Sequence, residues 1–432
     1  MKKILFVLSF ILIYQTAFGG RMEDFTLKNN IKVIFNRTDG IEVVSMKVFT
    51  PASVLGETNS NAGISLMTAN LMTKSTKNRS SEVLAKDVDN IGADLSANVD
   101  HDMSFINMSF LSEFFDRACE ILSDVIKNPA FNQNEIDMEK KNNIAGLNAR
   151  KDRIFNTAMD NFIKKFYEGT PYALTVLGSE ESINSITAEQ LAEWHKNSFN
   201  ASNILISISG NVDMQTVKNS LGKYFADIEA GKKFEKPEFN FEMKESSTLD
   251  IKSKFNQAYI IKGFPAPELK SEDFVTLKVI SAILGGRMTS RLFTELREKL
   301  GLAYEVNAMY PSRVRDSYFL IYIGLDKKNI DLTLNRIREI LKDMRENEVG
   351  QQELSDTKTF MRGIHILDRQ TVWKRSYYYG WREVVGQGYQ YDDKFLEDVD
   401  KVTSKDIIEA ANRIFSRDSL SVIVRPDTTS NK

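Results

Sequence analysis

Histidine is scarce in this sequence, which holds three among 432 residues. They are His101, His195 and His365, and none has another His or a Glu at the spacing that a metal-binding helix requires. We therefore expect each of them to be a hydrogen-bonded or solvated structural residue and not a metal ligand.

Cysteine is scarcer still, because Cys119 is alone and the chain can form no intramolecular disulfide. It lies in the stretch FDRACEILSDVI, whose helical spacing predicts a core thiol and not a nucleophile. An exported protein without disulfides has to gain its stability from the size of its core or from a partner.

The sequence has no excess of charge of either sign, since 57 basic residues face 59 acidic ones and the formal net charge is −2. This balance argues against binding to nucleic acid or to an acidic membrane surface. The chain contains no G-x-G-x-x-G, no P-loop and no G-x-S-x-G, so nucleotide binding and serine hydrolysis have no motif. Its length exceeds what one hydrophobic core usually organises, which predicts at least two domains.

The first 19 residues follow the order of a secretory signal peptide. Two lysines come first, an apolar run covers residues 4–13, and the small residues Ala17 and Gly19 precede the expected cut. The run is too short to anchor the chain in a membrane. We expect residues 1–19 to be removed and the mature protein to be periplasmic or secreted.

Two pairs of segments repeat at long range in the same order. The segment from Thr187 matches the segment from Thr403, each with a Thr N-cap, an amphipathic helix and an apolar strand. The alternating strand and helix from Ser104 likewise match those from Ser317. This pattern indicates a duplicated domain.

The repeat predicts an α+β fold of two homologous domains, each a mostly antiparallel sheet with helices packed on one face. We place the N-terminal domain at residues 20–232 and the C-terminal domain at residues 248–432. Residues 233–247 are charged and aperiodic and are interpreted as a linker.

The first half contains GISLMTANLMTKST, residues 63–76, which is a buried helix by its spacing. With the preceding strand FTLKNNIKVIFNRTDGIEVVSMKVFT, it resembles the insulinase/pitrilysin/mitochondrial-processing-peptidase family of zinc metallopeptidases. The resemblance covers essentially the whole mature chain and implies a clamshell of the two domains. Active members carry H-x-x-E-H on this helix, where two histidines on one face bind zinc and the Glu activates the zinc-bound water.

Alignment on Gly63 and on the Lys-Ser-Thr end of the helix places the two histidine positions at Leu66 and Asn70. The position of the catalytic Glu falls on Ala69. Leucine has no lone pair to give a metal, and alanine has no proton acceptor.

The third zinc ligand of the family, a Glu on a helix about seventy residues later, falls in the stretch that holds Ala145 and Gly146. All four chemical groups are therefore missing. The resemblance implies a degenerate zinc site, with no metal or other cofactor in this chain.

The second half keeps a different signature. GGRMTSRLFTELREKLGLAY, from Gly285 to Tyr304, resembles the family's Gly-rich turn, helix and R-x-x-x-x-x-x-Y. The resemblance implies that Arg297 binds substrate carbonyls and that Tyr304 stabilises the oxyanion in trans. Judged without the resemblance, Arg297 would be a solvated charged residue on a helix, paired with Glu295 or Glu298. Tyr304 would be a half-buried aromatic residue on a strand.

Three smaller expectations concern the same segment. Gly301 should end the helix, so that Tyr304 begins the next strand near Arg297. The glycines at 285 and 286 should allow a tight turn with close packing, and Arg291 should be structural.

Two functions follow from the resemblance. The first is the non-zinc subunit of a heteromeric zinc metalloendopeptidase, whose partner is a homologous zinc-bearing subunit and whose substrate is a peptide or unfolded polypeptide. The alternative is a catalytically inert peptide-binding or structural member of the same family. In either case we expect no nucleic acid and no membrane anchor, and zinc only in the partner.

Overall fold

The computed structural model describes residues 21–239 and 241–427, which form two halves with one β-sheet each. The strands of the first sheet are β1 (Arg21–Thr26), β2 (Lys32–Arg37), β3 (Val43–Thr50), β4 (Asp94–Val99), β5 (Ser104–Leu111) and β6 (Leu205–Gly210). The strands of the second sheet are β7 (Ser247–Ser253), β8 (Ala258–Ala266), β9 (Ala303–Met309), β10 (Ser317–Leu325) and β11 (Leu420–Pro426).

Helices make up most of the remaining structure. In the first half they are α1 (Ile64–Met72), α2 (Ser81–Asn90), α3 (Phe115–Lys127), α4 (Gln133–Lys151), α5 (Ile154–Phe166), α6 (Glu180–Ser185), α7 (Ala188–Ser198) and α8 (Met214–Tyr224). In the second half they are α9 (Phe274–Leu284), a π-helix (Phe293–Lys299), α10 (Ile330–Glu346), α11 (Gln351–Leu367), α12 (Val372–Val384), α13 (Tyr391–Lys401) and α14 (Ser404–Phe415). Short 3-10 turns lie at Val54–Gly56, Ser112–Phe114, Pro171–Ala173 and Lys327–Asn329.

The two sheets share one topology. The first has the order β1-β2-β6-β3-β5-β4 and is antiparallel except where β2 lies beside β6. The second has the order β7-β11-β8-β10-β9 and is antiparallel except where β7 lies beside β11. Apart from β1, the orders correspond strand by strand. The α+β class and the two homologous halves are confirmed, while the exact domain boundaries stay a prediction.

Local sequence signals account for the repeated helix before the last strand of each half. Thr187 and Thr403 each accept a hydrogen bond from the backbone three residues on, and the side chain there accepts one in return. These are capping boxes, which satisfy backbone N–H groups that a helix start would leave unpaired. The same chemistry therefore starts α7 and α14.

Each sheet has helices of its own half on one face and one helix of the other half on the opposite face. Helix α5 of the first half lies on β8 and β11, and helix α12 of the second half lies on β2, β3 and β6. The sequence predicted helices on one face only. The exchange of α5 and α12 explains why β3 and β8 are buried along almost their whole length.

Where α5 and α12 pack on the sheet of the other half, a phenylalanine ring lies directly against a glycine. A Cβ on Gly263 of β8 would lie 2.2 Å from the ring of Phe162 in α5, and a Cβ on Gly380 of α12 would lie 2.1 Å from the ring of Phe49 in β3. Both rings are fully buried and have little room to move. Glycine at these two positions is what lets the exchanged helices approach the sheets.

The layer between α12 and the first sheet is polar. Lys47 of β3 is buried, and its Nζ lies within hydrogen-bond distance of Ser45 Oγ (2.8 Å), Asn107 Oδ1 (2.8 Å), the Trp373 carbonyl oxygen (3.1 Å) and Ser376 Oγ (3.0 Å). Burial lowers the pKa of Lys47 to about 6. A polar group is tolerated in such a place because it is hydrogen-bonded.

The segment between α8 and β7 contains neither a helix nor a strand in its described residues, yet it is tied to both halves. The backbone N–H of Phe234 donates to Asn203 Oδ1 at 2.7 Å in the first half. In the second half, Arg315 Nε donates to the carbonyl oxygen of Pro237 at 3.2 Å. The predicted linker is therefore hydrogen-bonded to both halves.

We predict that Gly380→Ala destabilises the protein by about 1–3 kcal/mol, because the new methyl group must displace the buried ring of Phe49. The matched control is Gly363→Ala in α11, where a Cβ would meet nothing within 4 Å. That change should stabilise the helix by up to about 1 kcal/mol. Denaturant unfolding of both variants measures the difference, and equal stability of the two would contradict the close approach of α12 to the sheet.

Candidate functional site

Helix α1, which carries the degenerate motif, has a buried carboxylate at its N-terminus. Glu57 accepts hydrogen bonds from the backbone N–H groups of Gly63 (2.8 Å) and Ser65 (2.9 Å). A negative group is favoured there by the unpaired N–H groups and by the helix dipole. Burial nevertheless raises the pKa of Glu57 to about 6. Glu57 thus anchors α1 without any metal.

The motif positions on α1 carry no metal chemistry. Leu66 is half-buried in the core of the first half, and Ala69 is completely buried, at 0% exposure. Asn70 donates from Nδ2 to Glu139 Oε1 of α4 at 2.6 Å. The sequence did not single out Glu139, because the signal is a contact between two helices and not a spacing along one of them.

The positions aligned with the third ligand are equally inert. Ala145 is exposed, and a Cβ on Gly146 would stand 3.6 Å from the methyl groups of Leu177. In residues 21–239 and 241–427, no three His, Cys, Asp or Glu side chains come together in a way that could hold a metal ion.

Two of the three histidines, His101 and His195, form hydrogen bonds to the backbone. The Nε2–H groups of His101 and His195 donate to the carbonyl oxygens of Leu174 (3.2 Å) and Ile126 (2.7 Å), so the structural interpretation of both is confirmed. Burial lowers the pKa of His101 well below its usual value and lowers that of His195 to about 4.

His365 is half-buried, and Cys119 is buried. Burial lowers the pKa of His365 to about 4, and its Nε2 lies 3.9 Å from Asp392 Oδ2. Cys119 is fully buried, and burial raises the pKa of its thiol, as expected for a core residue.

Arg297 lies on the π-helix and is exposed. Its guanidinium stands over the ring of Phe293, 5.0 Å from the ring centroid. Glu295 pairs with Lys299 at 2.5 Å, and no described carboxylate forms an ion pair with Arg297. A π-helix is rare in proteins and is frequent at functional sites.

Gly301 ends the π-helix, as expected. Its φ is +60°, and the next residue, Leu302, donates from its backbone N–H to the carbonyl oxygen of Leu296 at 2.8 Å. This is the pattern of a helix closed by a glycine in the left-handed region. The chain then enters β9, which packs directly on the π-helix.

Tyr304 is the extra residue of a β-bulge. Ala303 lies opposite Leu325 and Glu305 lies opposite Gly324, so Tyr304 has no partner in the register with β10. Its side chain is 57% exposed. Bulges redirect side chains and are common beside active sites. The sequence predicted the start of a strand here but not the bulge.

The turn before the π-helix holds this region against β9. A Cβ on Gly285 would lie 2.2 Å from the backbone nitrogen of Ala308, and the N–H of Gly286 donates to Asn307 Oδ1 at 2.6 Å. The expected tight turn and close packing are confirmed. Arg291 pairs with Glu353 at 2.8 Å, which also confirms its structural role.

The structure brings Arg297 and Tyr304 onto adjoining segments of the second half. Leu66, Ala69 and Asn70 lie on α1 in the first half. Within the described residues, no hydrogen bond or ion pair joins the Arg297 or Tyr304 side chain to α1 or α4. Arg297 and Tyr304 are exposed in the second half, whereas Ala69 is buried and Leu66 half-buried in the core of the first half.

Comparisons with known proteins match the chain in two parts. A family model described as Insulinase (Peptidase family M16) matches residues 32–180, and one described as Peptidase M16 inactive domain matches residues 185–361. A protein of Rickettsia felis named uncharacterized zinc protease is 28% identical over 403 residues, which cover 93% of this chain and 97% of the relative.

Two further matches carry names of inactive proteins. A Helicobacter pylori protein named non-peptidase homolog YmxG is 25% identical over 356 residues, covering 80% of each chain. The solved structure of a peptidase M16 inactive domain from Pseudomonas fluorescens superposes with a TM-score of 0.88 at 20% identity, covering 94% of this chain and 98% of that one.

We predict that the purified chain holds no stoichiometric zinc, because the aligned positions offer a leucine, an alanine and an amide where the motif needs two imidazoles and a carboxylate. Elemental analysis after dialysis should find far less than one zinc per chain. One zinc per chain that survives mild chelation would show that the alignment of α1 is wrong.

A second prediction concerns the double variant Leu66→His with Asn70→His. It should hydrolyse no peptide by itself, because the general base at position 69 and the third ligand near position 146 are still missing. Turnover of a quenched fluorescent peptide measures this directly. Zinc-dependent hydrolysis by the double variant would mean that another residue acts as the base.

Proposed function

Because this chain belongs to the insulinase family of peptidases, M16, we propose that it is the non-zinc subunit of a heteromeric metalloendopeptidase. In this proposal a homologous subunit carries the zinc, and this chain supplies Arg297 and Tyr304 to the substrate bound there. The family model described as an inactive domain matches residues 185–361, the part of the chain that holds Arg297 and Tyr304.

The observation that carries the proposal is the coincidence of two backbone irregularities with these two residues. Arg297 lies on the π-helix, and Tyr304 is the unpaired residue of the bulge in β9. The π-helix replaces the regular i→i−4 bonding of an α-helix, and the bulge leaves one residue of the strand unpaired; both kinds of irregularity are frequent beside functional sites. Both side chains are exposed.

The chemistry of the two side chains fits peptide hydrolysis at a metal. A zinc ion in the partner would polarise the peptide carbonyl and activate a water molecule. The planar fork of Arg297 can donate to backbone carbonyls of the bound peptide, and the phenol of Tyr304 can donate to the oxyanion as charge develops on it. Neither function requires a metal ligand from this chain.

The cellular location is also a proposal. The predicted signal peptide, residues 1–19, lies outside the described residues, and on its account we place the mature chain in the periplasm or outside the cell. In the described part of the chain, no helix combines the length and the apolar character needed to cross a membrane.

The alternative, an inert family member, predicts no effect of Arg297 or Tyr304 on any activity.

In the complex with its zinc-bearing partner, Tyr304→Phe should lower kcat about 10²-fold and leave KM nearly unchanged, because the hydrogen bond forms in the transition state. Steady-state hydrolysis of a quenched fluorescent peptide by the co-purified complex gives both constants. The control is Tyr224→Phe, which removes a phenol from the end of α8 in the first half and should change neither constant.

Arg297→Ala should raise KM as well as lower kcat, and Arg297→Lys should restore little, because an ammonium lacks the planar fork. Neither variant should dissociate the complex, as size-exclusion chromatography would show. Full activity of the Tyr304 and Arg297 variants in an intact complex would remove the catalytic role and leave the inert alternative.

A further inference from the structure

We infer that Glu305 recognises a basic side chain, Arg or Lys, of the peptide that this chain helps to bind. The inference rests on the proposed function, because it assigns the chemistry of the substrate to the position beside Tyr304.

The bulge in β9 gives Glu305 its place. In a regular strand, consecutive side chains point to opposite faces, so neighbours alternate between buried and exposed. Here Tyr304 and Glu305 are consecutive and both exposed, because Tyr304 is the extra residue. The same distortion that frees Tyr304 therefore also places a carboxylate next to it.

Only one carboxylate oxygen of Glu305 has a hydrogen-bond partner among the described residues. Its Oε2 accepts a hydrogen bond of 3.1 Å from the phenol of Tyr259, a buried residue of β8. No Lys, Arg or His in the described part of the chain forms an ion pair with it. The other carboxylate oxygen, Oε1, is thus available, and the negative charge is uncompensated within the chain.

Two further aromatic rings pack against Tyr259, the hydrogen-bond partner of this carboxylate. The rings of Tyr259 and Tyr322 stack with their centroids 6.3 Å apart, and Phe155 of α5 stands 5.7 Å from the first and 5.2 Å from the second. Aromatic surface accommodates the methylene stem of Arg or Lys, and a carboxylate beside it fixes the charged end. An acidic or short polar side chain would gain neither contact.

The strand itself can align the peptide. In the described residues β9 pairs with β10 on one side and with no other strand, so it forms an edge of the second sheet. An extended peptide can add to such an edge through main-chain hydrogen bonds, and its alternate side chains then meet the groups beside the strand. One of those positions lies at Glu305.

Equilibrium binding to the purified chain tests this inference. The probes are two fluorescein-labelled decapeptides of one sequence that differ at a single central position, Arg in one and norleucine in the other. Fluorescence anisotropy should show the Arg peptide binding roughly tenfold more tightly, the factor that corresponds to about 1.4 kcal/mol. Added salt should reduce this ratio, because it screens the charge pair.

Three variants locate the preference. Glu305→Gln should bring the ratio of the two affinities to about one and leave the norleucine peptide unaffected. Tyr259→Phe should lower the ratio partway, because Glu305 loses the hydrogen bond that positions it. The matched control Glu348→Gln changes the charge of another exposed glutamate in the same half and should keep the ratio. Thermal unfolding checks that all three variants are folded.

The outcomes separate this inference from the proposed function. An unchanged ratio in Glu305→Gln, equal binding of the two peptides by the wild type, or binding of neither peptide would overturn it. Tyr304→Phe should leave both affinities intact, since that residue acts in the transition state. An intact preference for Arg without any effect of Tyr304 on turnover would remove the catalytic proposal and keep the recognition by Glu305.

Discussion

The rest of the structure depends on the exchange of α5 and α12 between the two halves. Each helix covers the sheet face that the other half leaves open, and one continuous hydrophobic cluster includes Phe49 and Phe162 from the first half together with the core of the second. Burial of such surface is the main favourable term in folding. The first half also has a core cluster of its own, whereas the core of the second half is continuous with residues of the first.

Core packing also fixes α1, the helix that aligns with the zinc motif of the family. Seven of the nine residues of α1 are buried, and its N-terminus is satisfied by Glu57 from within the chain. Asn70 and Glu139 pair across α1 and α4 where a metal ligand would stand in active relatives. The packing of α1 thus rests on buried side chains and on hydrogen bonds within the chain.

The sequence predicted those features that depend on local signals. The N-caps at Thr187 and Thr403, the helix end at Gly301 and the buried thiol of Cys119 all follow from residue type and spacing. The features that it did not predict depend on contacts between distant segments. The helix exchange requires the fit of Gly380 against Phe49, and the bulge at Tyr304 requires the register of β9 against β10. Neither has a pattern within a single segment.

The candidate site likewise combines features that the sequence predicted with features that only the structure shows. Family resemblance identified Arg297 and Tyr304, whereas the π-helix, the bulge and the position of Glu305 became visible only in three dimensions. The second half therefore presents a guanidinium, a phenol and a carboxylate on adjoining segments, while Leu66, Ala69 and Asn70, the motif-aligned positions on α1, offer no imidazole and no carboxylate. In the proposed function, such a chain acts on a peptide bond beside a zinc-bearing subunit.

The most direct test of that claim is a photo-crosslink from position 304. The photoreactive residue p-benzoylphenylalanine replaces Tyr304 in the chain expressed in its native cells, and mass spectrometry identifies the peptides that it captures. We predict capture of a homologous protein of similar length, at or next to a helix that carries H-x-x-E-H. Crosslinks confined to this chain, or to a protein without that motif, would contradict the account.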